Sequence, residues 1–191
     1  HSFPPRGSSD VNAEKARAVF LDRDGVISRS LVRNGLPFAP TTLSDFEILP
    51  EAADACRQLK QAGFLLIVVT NQPEVGRGTM KKEIVEAMHQ KMCRELPIDR
   101  VNVCYHPGHG KSHCDCRKPK TGLLICAASQ LNIDLSQSWM IGARWRDIDC
   151  GFTDGCPTVI IDRGYAEALK HAPDYRARDL AEAARIMLAA K

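Results

Sequence analysis

The stretch Phe20-Leu21-Asp22-Arg23-Asp24-Gly25-Val26 sets two carboxylates and a glycine directly behind an apolar run, Ala18–Leu21, that reads as a β-strand. Two acids spaced i and i+2 can face one pocket once a strand gives way to a loop. One can attack phosphorus as an anionic nucleophile. The other can protonate a leaving oxygen and then activate water. Clustered carboxylates also attract a divalent cation, which offsets their repulsion for a phosphate dianion. Taken alone, Asp-x-Asp-Gly also suits a loop of solvated acids around a turn glycine, so its meaning depends on the rest of the chain.

Beyond Gly25 the chain alternates between apolar runs and helical patterns. Residues 50–62 read as a helix, with Pro50 in its first turn and Gly63 past its end. Residues 64–69 form a continuous apolar run, as in a strand covered on both faces. Residues 79–96 read as a longer amphipathic helix capped by Thr79. Strands are expected at 101–104, 139–141 and 158–161, and helices at 121–131, 146–154 and 178–190. Strands alternating with helices predict an α/β fold, a Rossmann-like parallel sheet with helices on both faces. Ligands bind such sheets at the carboxyl ends of the strands, where Asp22, Thr70, His106 and Asp147 fall. Only a loop and one helix separate Asp22 from Thr70, so no large cap domain is expected. Residues 16–191 are read as a single domain behind a flexible leader at 1–15. The leader has no apolar core of a signal peptide.

The bulk properties narrow the partners. A formal net charge of +3 over 191 residues is too small to argue for nucleic acid. No apolar run approaches the roughly 18 residues of a membrane-spanning helix. A cytoplasmic monomer acting on a small phosphorylated molecule is the expectation.

Further polar groups suit phosphate. Thr70, Asn71 and Gln72 end the second apolar run, and their hydroxyl and amides can hold phosphate oxygens. Lys118, in Cys116-Arg117-Lys118-Pro119, can neutralise phosphate and nucleophile. Of the eight cysteines, Cys56, Cys93, Cys126, Cys150 and Cys156 are read as buried free thiols. Cys104, His106, Cys114 and Cys116 differ: three thiolates and an imidazole are a tetrahedral zinc set, and four protein ligands make the site structural. His109 and His113 lie in the same loop and are alternatives to His106. The zinc would fix the loop that carries Arg117 and Lys118.

The order Asp-x-Asp-Gly, Thr70, Lys118 and Gly142-Ala143-Arg144-Trp145-Arg146-Asp147 resembles the haloacid dehalogenase-like phosphohydrolases. The resemblance implies that Asp22 becomes an aspartyl phosphate and that Asp24 is the general acid and base. It implies that Thr70 and Lys118 hold the phosphoryl group. Magnesium would sit on Asp22, the Asp24 carbonyl and an acid of the fourth motif, for which Asp147 remains. The loop Cys-x-His…Cys-x-Cys-Arg-Lys-Pro resembles the branch with heptose 1,7-bisphosphate and histidinol-phosphate phosphatases. There Arg117 would bind a second phosphate, and Asn71, Gln72, Arg77 and Arg144 are candidates for substrate contacts. A heptose bisphosphate is the leading substrate, histidinol phosphate the alternative.

The fourth motif departs from the family's Gly-Asp-x-x-x-Asp, because its first acid is Ala143 here. A methyl cannot coordinate a hard cation. Three readings stay open: an active-site substitution, a natural homologue with weakened activity, and a coordination sphere completed by Asp147 and waters. Weak magnesium binding and low turnover are expected, and a catalytically silent phosphosugar-binding homologue is a further alternative.

Overall fold

Val19 and Leu21 of β1 (Ala18–Leu21) join one apolar cluster while Ala18 and Phe20 join another, so the strand is buried on both sides. A side-chain period of two feeding two separate cores is the signature of a central strand between helix layers. In the computed structural model, which describes residues 14–109 and 113–190, β1 lies inside a six-stranded sheet of order β5-β4-β1-β6-β7-β8. The other strands are β4 (Leu65–Asn71), β5 (Arg100–Cys104), β6 (Trp139–Gly142), β7 (Thr158–Ile161) and β8 (Tyr175–Ala177). Every pairing is parallel. One face packs on α1 (Ala52–Gln61), α3 (Lys82–Glu95) and α6 (Leu180–Ala189). The other packs on α4 (Gly122–Leu131) and on Cys150 of α5 (Trp145–Thr153). The expected parallel α/β architecture is the observed one. Most of the expected leader lies outside the described residues.

Several elements differ from expectation, each for a local reason. β4 runs on to Asn71 because its ladder with β5 continues through the Thr70–Val103 and Asn71–Cys104 partners. Thr79 does not cap α3. Its hydroxyl donates to the Glu74 carbonyl, behind a short helix α2 (Pro73–Gly76), and α3 starts at Lys82. α6 starts at Leu180, where the Asp179 carboxylate accepts the Glu182 N–H as an N-cap. Cys93 and Cys126 are exposed rather than buried, because they fall off the apolar stripes of α3 and α4, whereas Cys56, Cys150 and Cys156 are buried.

Two strand features were not expected from the sequence. β2 (Leu31–Arg33) and β3 (Leu36–Phe38) form an antiparallel hairpin inside the loop after β1. Asn34 and Gly35 turn it, both at positive φ, as a two-residue hairpin connection requires. β8 adds a sixth strand at the sheet edge. Between β1 and β4 the chain adds only this hairpin and α1, so no large cap covers the carboxyl ends of the strands. Among the described residues, no helix is long and apolar enough to cross a membrane.

Candidate active site

β1, β4 and β6 end side by side, and their carboxyl ends bring together the residues marked by the sequence. Asp22 leaves β1 with its backbone N–H donated to the Ile141 carbonyl of β6, at 3.0 Å. Its side chain is almost wholly buried. Burial, then the nearby Asp147 carboxylate, pushes the Asp22 carboxyl up to about 6 against the pull of Lys118.

Lys118 is the hub. Its ammonium donates to Asp22 Oδ1 at 2.9 Å and to Asp147 Oδ1 at 2.6 Å while only 2% exposed. Burial opposes its charge, but Asp147 and Asp22 outweigh burial and hold the ammonium above its ordinary range. Asn71 fixes the Lys118 backbone from both sides: its Nδ2 donates to the Lys118 carbonyl, and its Oδ1 accepts the Lys118 N–H, both at 3.1 Å. The other Asp147 oxygen, Oδ2, accepts the backbone N–H groups of Ala143 and Arg144 at 3.1 and 3.0 Å. Asp147 thereby caps α5 and ties the turn after β6 to Lys118. Both of its oxygens are engaged.

Asp24 faces a second, drier set of partners. Arg23, fully buried, forks onto it through Nε and Nη2 at 3.0 and 2.9 Å. Ser28 Oγ and Gln72 Nε2 complete four hydrogen bonds to its two oxygens. A bidentate ion pair backed by further hydrogen bonds is the arrangement in which a buried charge is tolerated. Beside Arg23, burial, with that guanidinium adding to it, pushes the His89 imidazole down to about 4, so the ring is neutral at ordinary pH. Gln72 is fully buried, and its amide also donates to Thr70 Oγ1 at 2.9 Å. Gln72 therefore bridges Thr70 and Asp24 instead of facing the cavity.

Asp22, Asp24, Lys118 and Asp147 line a cavity of about 370 Å³, whereas Thr70 and Gln72 are not among its lining residues. Leu36, Pro37, Phe38 and Ala39 supply an apolar lip. Asn71, Arg77, Arg117 and Arg144 also line it. Arg77 donates to the Pro107 carbonyl at 3.0 Å, and Arg144 forks onto Glu167. Arg146 and Glu74 line the cavity as well, although Arg146 is only a variable position of the fourth motif and Glu74 falls in none. The hairpin lip could have been found from Asn34-Gly35. No spacing in the sequence places Arg146 beside Arg117.

Ala143 is 5% exposed. A Cβ placed on Gly25 would lie 3.0 Å from the Ala143 methyl and 2.7 Å from the Tyr165 hydroxyl. The methyl thus abuts the Asp22–Gly25 turn. Among the described residues, Asp22, Asp24 and Asp147 do not form a three-acid cluster within metal-ligand reach. Asp22, raised by burial and carboxylate neighbours, is suited to a cation. Ala143 offers none of the oxygen such an ion takes.

A second cluster stands beside the site. The ligand atoms of Cys104, His106, Cys114 and Cys116 all lie within 4.8 Å of one another. His106 Nδ1 is 3.4 Å from Cys104 Sγ and 3.2 Å from Cys116 Sγ, and the Cys104 and Cys114 sulfurs are 3.9 Å apart. A tetrahedron with metal–sulfur bonds near 2.3 Å has edges of about 3.5–3.8 Å. The cluster can hold a metal ion, and among the described residues it draws on His106, not His109 or His113.

A family model described as HAD-hydrolase-like matches residues 115–183. The chain is 33% identical to the D-glycero-β-D-manno-heptose-1,7-bisphosphate 7-phosphatase of Escherichia coli K12 over 161 residues, covering 79% of this chain and 81% of the relative. It is 33% identical to the enzyme of the same name from Yersinia pestis, covering 76% and 80%. A crystal structure of D,D-heptose 1,7-bisphosphate phosphatase from B. bronchiseptica, complexed with magnesium and phosphate, superposes with a TM-score of 0.76. It is 26% identical and covers 90% of this chain and 98% of that one. The Burkholderia thailandensis counterpart gives 0.63 at 25% identity, covering 91% and 99%. Fold and relatives together define a hydrolase of the phosphatase class. The chain belongs to the haloacid dehalogenase-like phosphatases, in the branch that holds the heptose bisphosphate phosphatases.

Proposed function

We propose that this chain is a magnesium-dependent phosphatase that takes the phosphoryl group of a small sugar bisphosphate, D-glycero-D-manno-heptose 1,7-bisphosphate, onto Asp22. The observation that carries the reading is the buried Asp22–Lys118–Asp147 chain at 2.9 and 2.6 Å, which lines the cavity. Asp22 attacks phosphorus, and the bond from phosphorus to the sugar oxygen breaks. Asp24, which takes up a proton as the substrate enters and one of its oxygens turns from Arg23 and Gln72, gives that proton to the sugar oxygen. Asp24 then takes a proton from the water that attacks the aspartyl phosphate, which releases inorganic phosphate and restores Asp22. Lys118 offsets the charge shared by Asp22 and the phosphoryl oxygens, and the Thr70 hydroxyl, which accepts from Gln72, would donate its own proton to one of them. Asn71, Gln72 and Arg77 hold Lys118, Asp24 and the rim in position.

Magnesium would be held by Asp22 and the Asp24 carbonyl, where it supplies charge neutralisation for the phosphoryl group. With Ala143 in the fourth motif, binding of that ion is weak and turnover slow. The Cys104, His106, Cys114 and Cys116 cluster takes zinc, which pins the loop carrying Arg117 and Lys118. The free thiols suit a reducing cytoplasm, where this chain is proposed to act as a monomer. Residues 16–191 act as one domain.

The test is a substrate panel with mass spectrometry. The heptose bisphosphate is hydrolysed in preference to histidinol phosphate, and quenched protein carries one phosphate on Asp22. Binding of the bisphosphate with no adduct and no release of phosphate would instead establish the second reading that Ala143 favours, a silent phosphosugar-binding homologue.

Zinc has its own test. The purified protein contains one equivalent of zinc. Removing it with a chelator withdraws the binding free energy from the folded form, which lowers Tm by roughly 2–4 °C for each kcal/mol lost in a chain of this size. A zinc-free protein with an unchanged melt on chelation refutes the assignment.

A further inference from the structure

The charges along the cavity do not cancel in place. At the rim Arg77 stands 3.9 Å from Glu74, and Arg144 is forked onto Glu167. Two guanidinium groups remain, Arg117 and Arg146, and among the described residues neither has an acid within ion-pair distance. Arg117 lies against Gly108, and among the described residues its buried Nη1 has no hydrogen-bond partner. Arg146, in the first turn of α5, is half-buried. Its guanidinium lies 5.0 Å from the ring of its own neighbour Trp145, and Lys170 covers that ring as well, at 3.8 Å. Burial, then the charges of Arg144 and Arg117, hold Arg146 below its ordinary range.

Gathering like charges without an acid costs free energy in the empty protein, and an arriving anion relieves it. A phosphate dianion matches two guanidinium forks in charge and in planar hydrogen-bond geometry. The reacting phosphate is already served by Lys118 and Asp22, which line the same cavity. The leftover pair therefore suits a second phosphate on the same molecule.

We propose that Arg146 is a specificity-determining residue, which joins Arg117 in clasping the distal phosphate of a bisphosphate substrate. This rests on the sugar-bisphosphate reading and extends it. The Trp145 ring keeps the Arg146 guanidinium from wandering into solvent, so less side-chain entropy is lost when phosphate binds.

The experiment compares binding of heptose 1,7-bisphosphate and heptose 7-phosphate by titration calorimetry in an Asp22→Asn background, where no turnover interferes. The two ligands differ only in the distal phosphate. The parent is expected to bind the bisphosphate about 10–100-fold more tightly, as charge-assisted hydrogen bonds allow. Arg146→Gln brings that ratio below about 3, and Arg146→Lys, with a point charge but no fork, restores part of it. In active protein the same change appears mainly in KM for the bisphosphate, with kcat nearly kept. Arg57→Gln, an exposed arginine of α1, removes the same net charge and leaves the ratio alone. A parent without preference overturns the bisphosphate reading and this inference together. A parent with the preference, retained in Arg146→Gln, overturns this inference only.

Discussion

Asp22→Asn is expected to lower phosphate release by roughly 10³-fold or more, the scale on which loss of a nucleophile removes covalent catalysis. The amide oxygen occupies nearly the same place but is a far poorer nucleophile, and no phosphate accumulates on the protein. Folding is expected to survive. Burial pushes the Asp22 carboxyl up from 3.8 to about 6, so without a cation its ionised form is less favourable in the fold than in the unfolded chain. An acid raised on folding destabilises above its unfolded value, increasingly as pH climbs from about 4 to 6. At neutral pH that penalty is on the order of 3 kcal/mol. Asparagine carries no such penalty, and Lys118 keeps Asp147 as its partner at 2.6 Å. The variant should therefore melt no lower than the parent in cation-free buffer at pH 7. Near-normal phosphate release from a folded Asp22→Asn protein would remove Asp22 from the reaction.

The contrast between what the sequence discloses and what it hides has a physical basis. β1, β4 and β7 are legible because strands buried on both faces need unbroken apolar runs, and those runs stand out. The edge strand β8, Tyr-Arg-Ala, has two exposed residues and three in all, too few to carry a pattern. The β2–β3 hairpin is equally short, and Asn34-Gly35 is its one usable signal. In the site, Asp22, Lys118 and Asp147 can be nominated one by one from motif order. That Lys118 bridges the two acids cannot, since its partners lie 96 and 29 residues away and meet only when β1 and β6 pair. The two-way clamp of Asn71 on the Lys118 backbone is hidden for the same reason. The sequence nominates Gln72 for the substrate, yet its buried amide reaches Asp24 and Thr70. Nothing in a Thr-Asn-Gln string distinguishes an amide turned outward from one turned in.

Ala143→Asp is expected to act in the opposite direction to the loss at Asp22. The Ala143 Cβ already lies beside Gly25, so a carboxylate there joins the turn that carries Asp22. The Ala143 N–H would still be donated to Asp147, because the residue contributes only its main chain to that bond. What changes is charge. In cation-free buffer a fourth carboxylate joins Asp22, Asp24 and Asp147 in a site that already disfavours ionised Asp22, so the variant should melt lower than the parent. Saturating magnesium should reverse the order, since the added oxygen is a hard ligand and binding to the folded form stabilises it by mass action. The half-saturating magnesium concentration should fall by roughly 10–100-fold, the range in which metal sites respond to a change in their support. Turnover should rise in step. The signature is thus a crossing: less stable than the parent without the ion, more stable and more active with it. Equal rates and parallel melts in both proteins would mean that Asp22, the Asp24 carbonyl and water suffice for the ion. The methyl at 143 would then be no handicap.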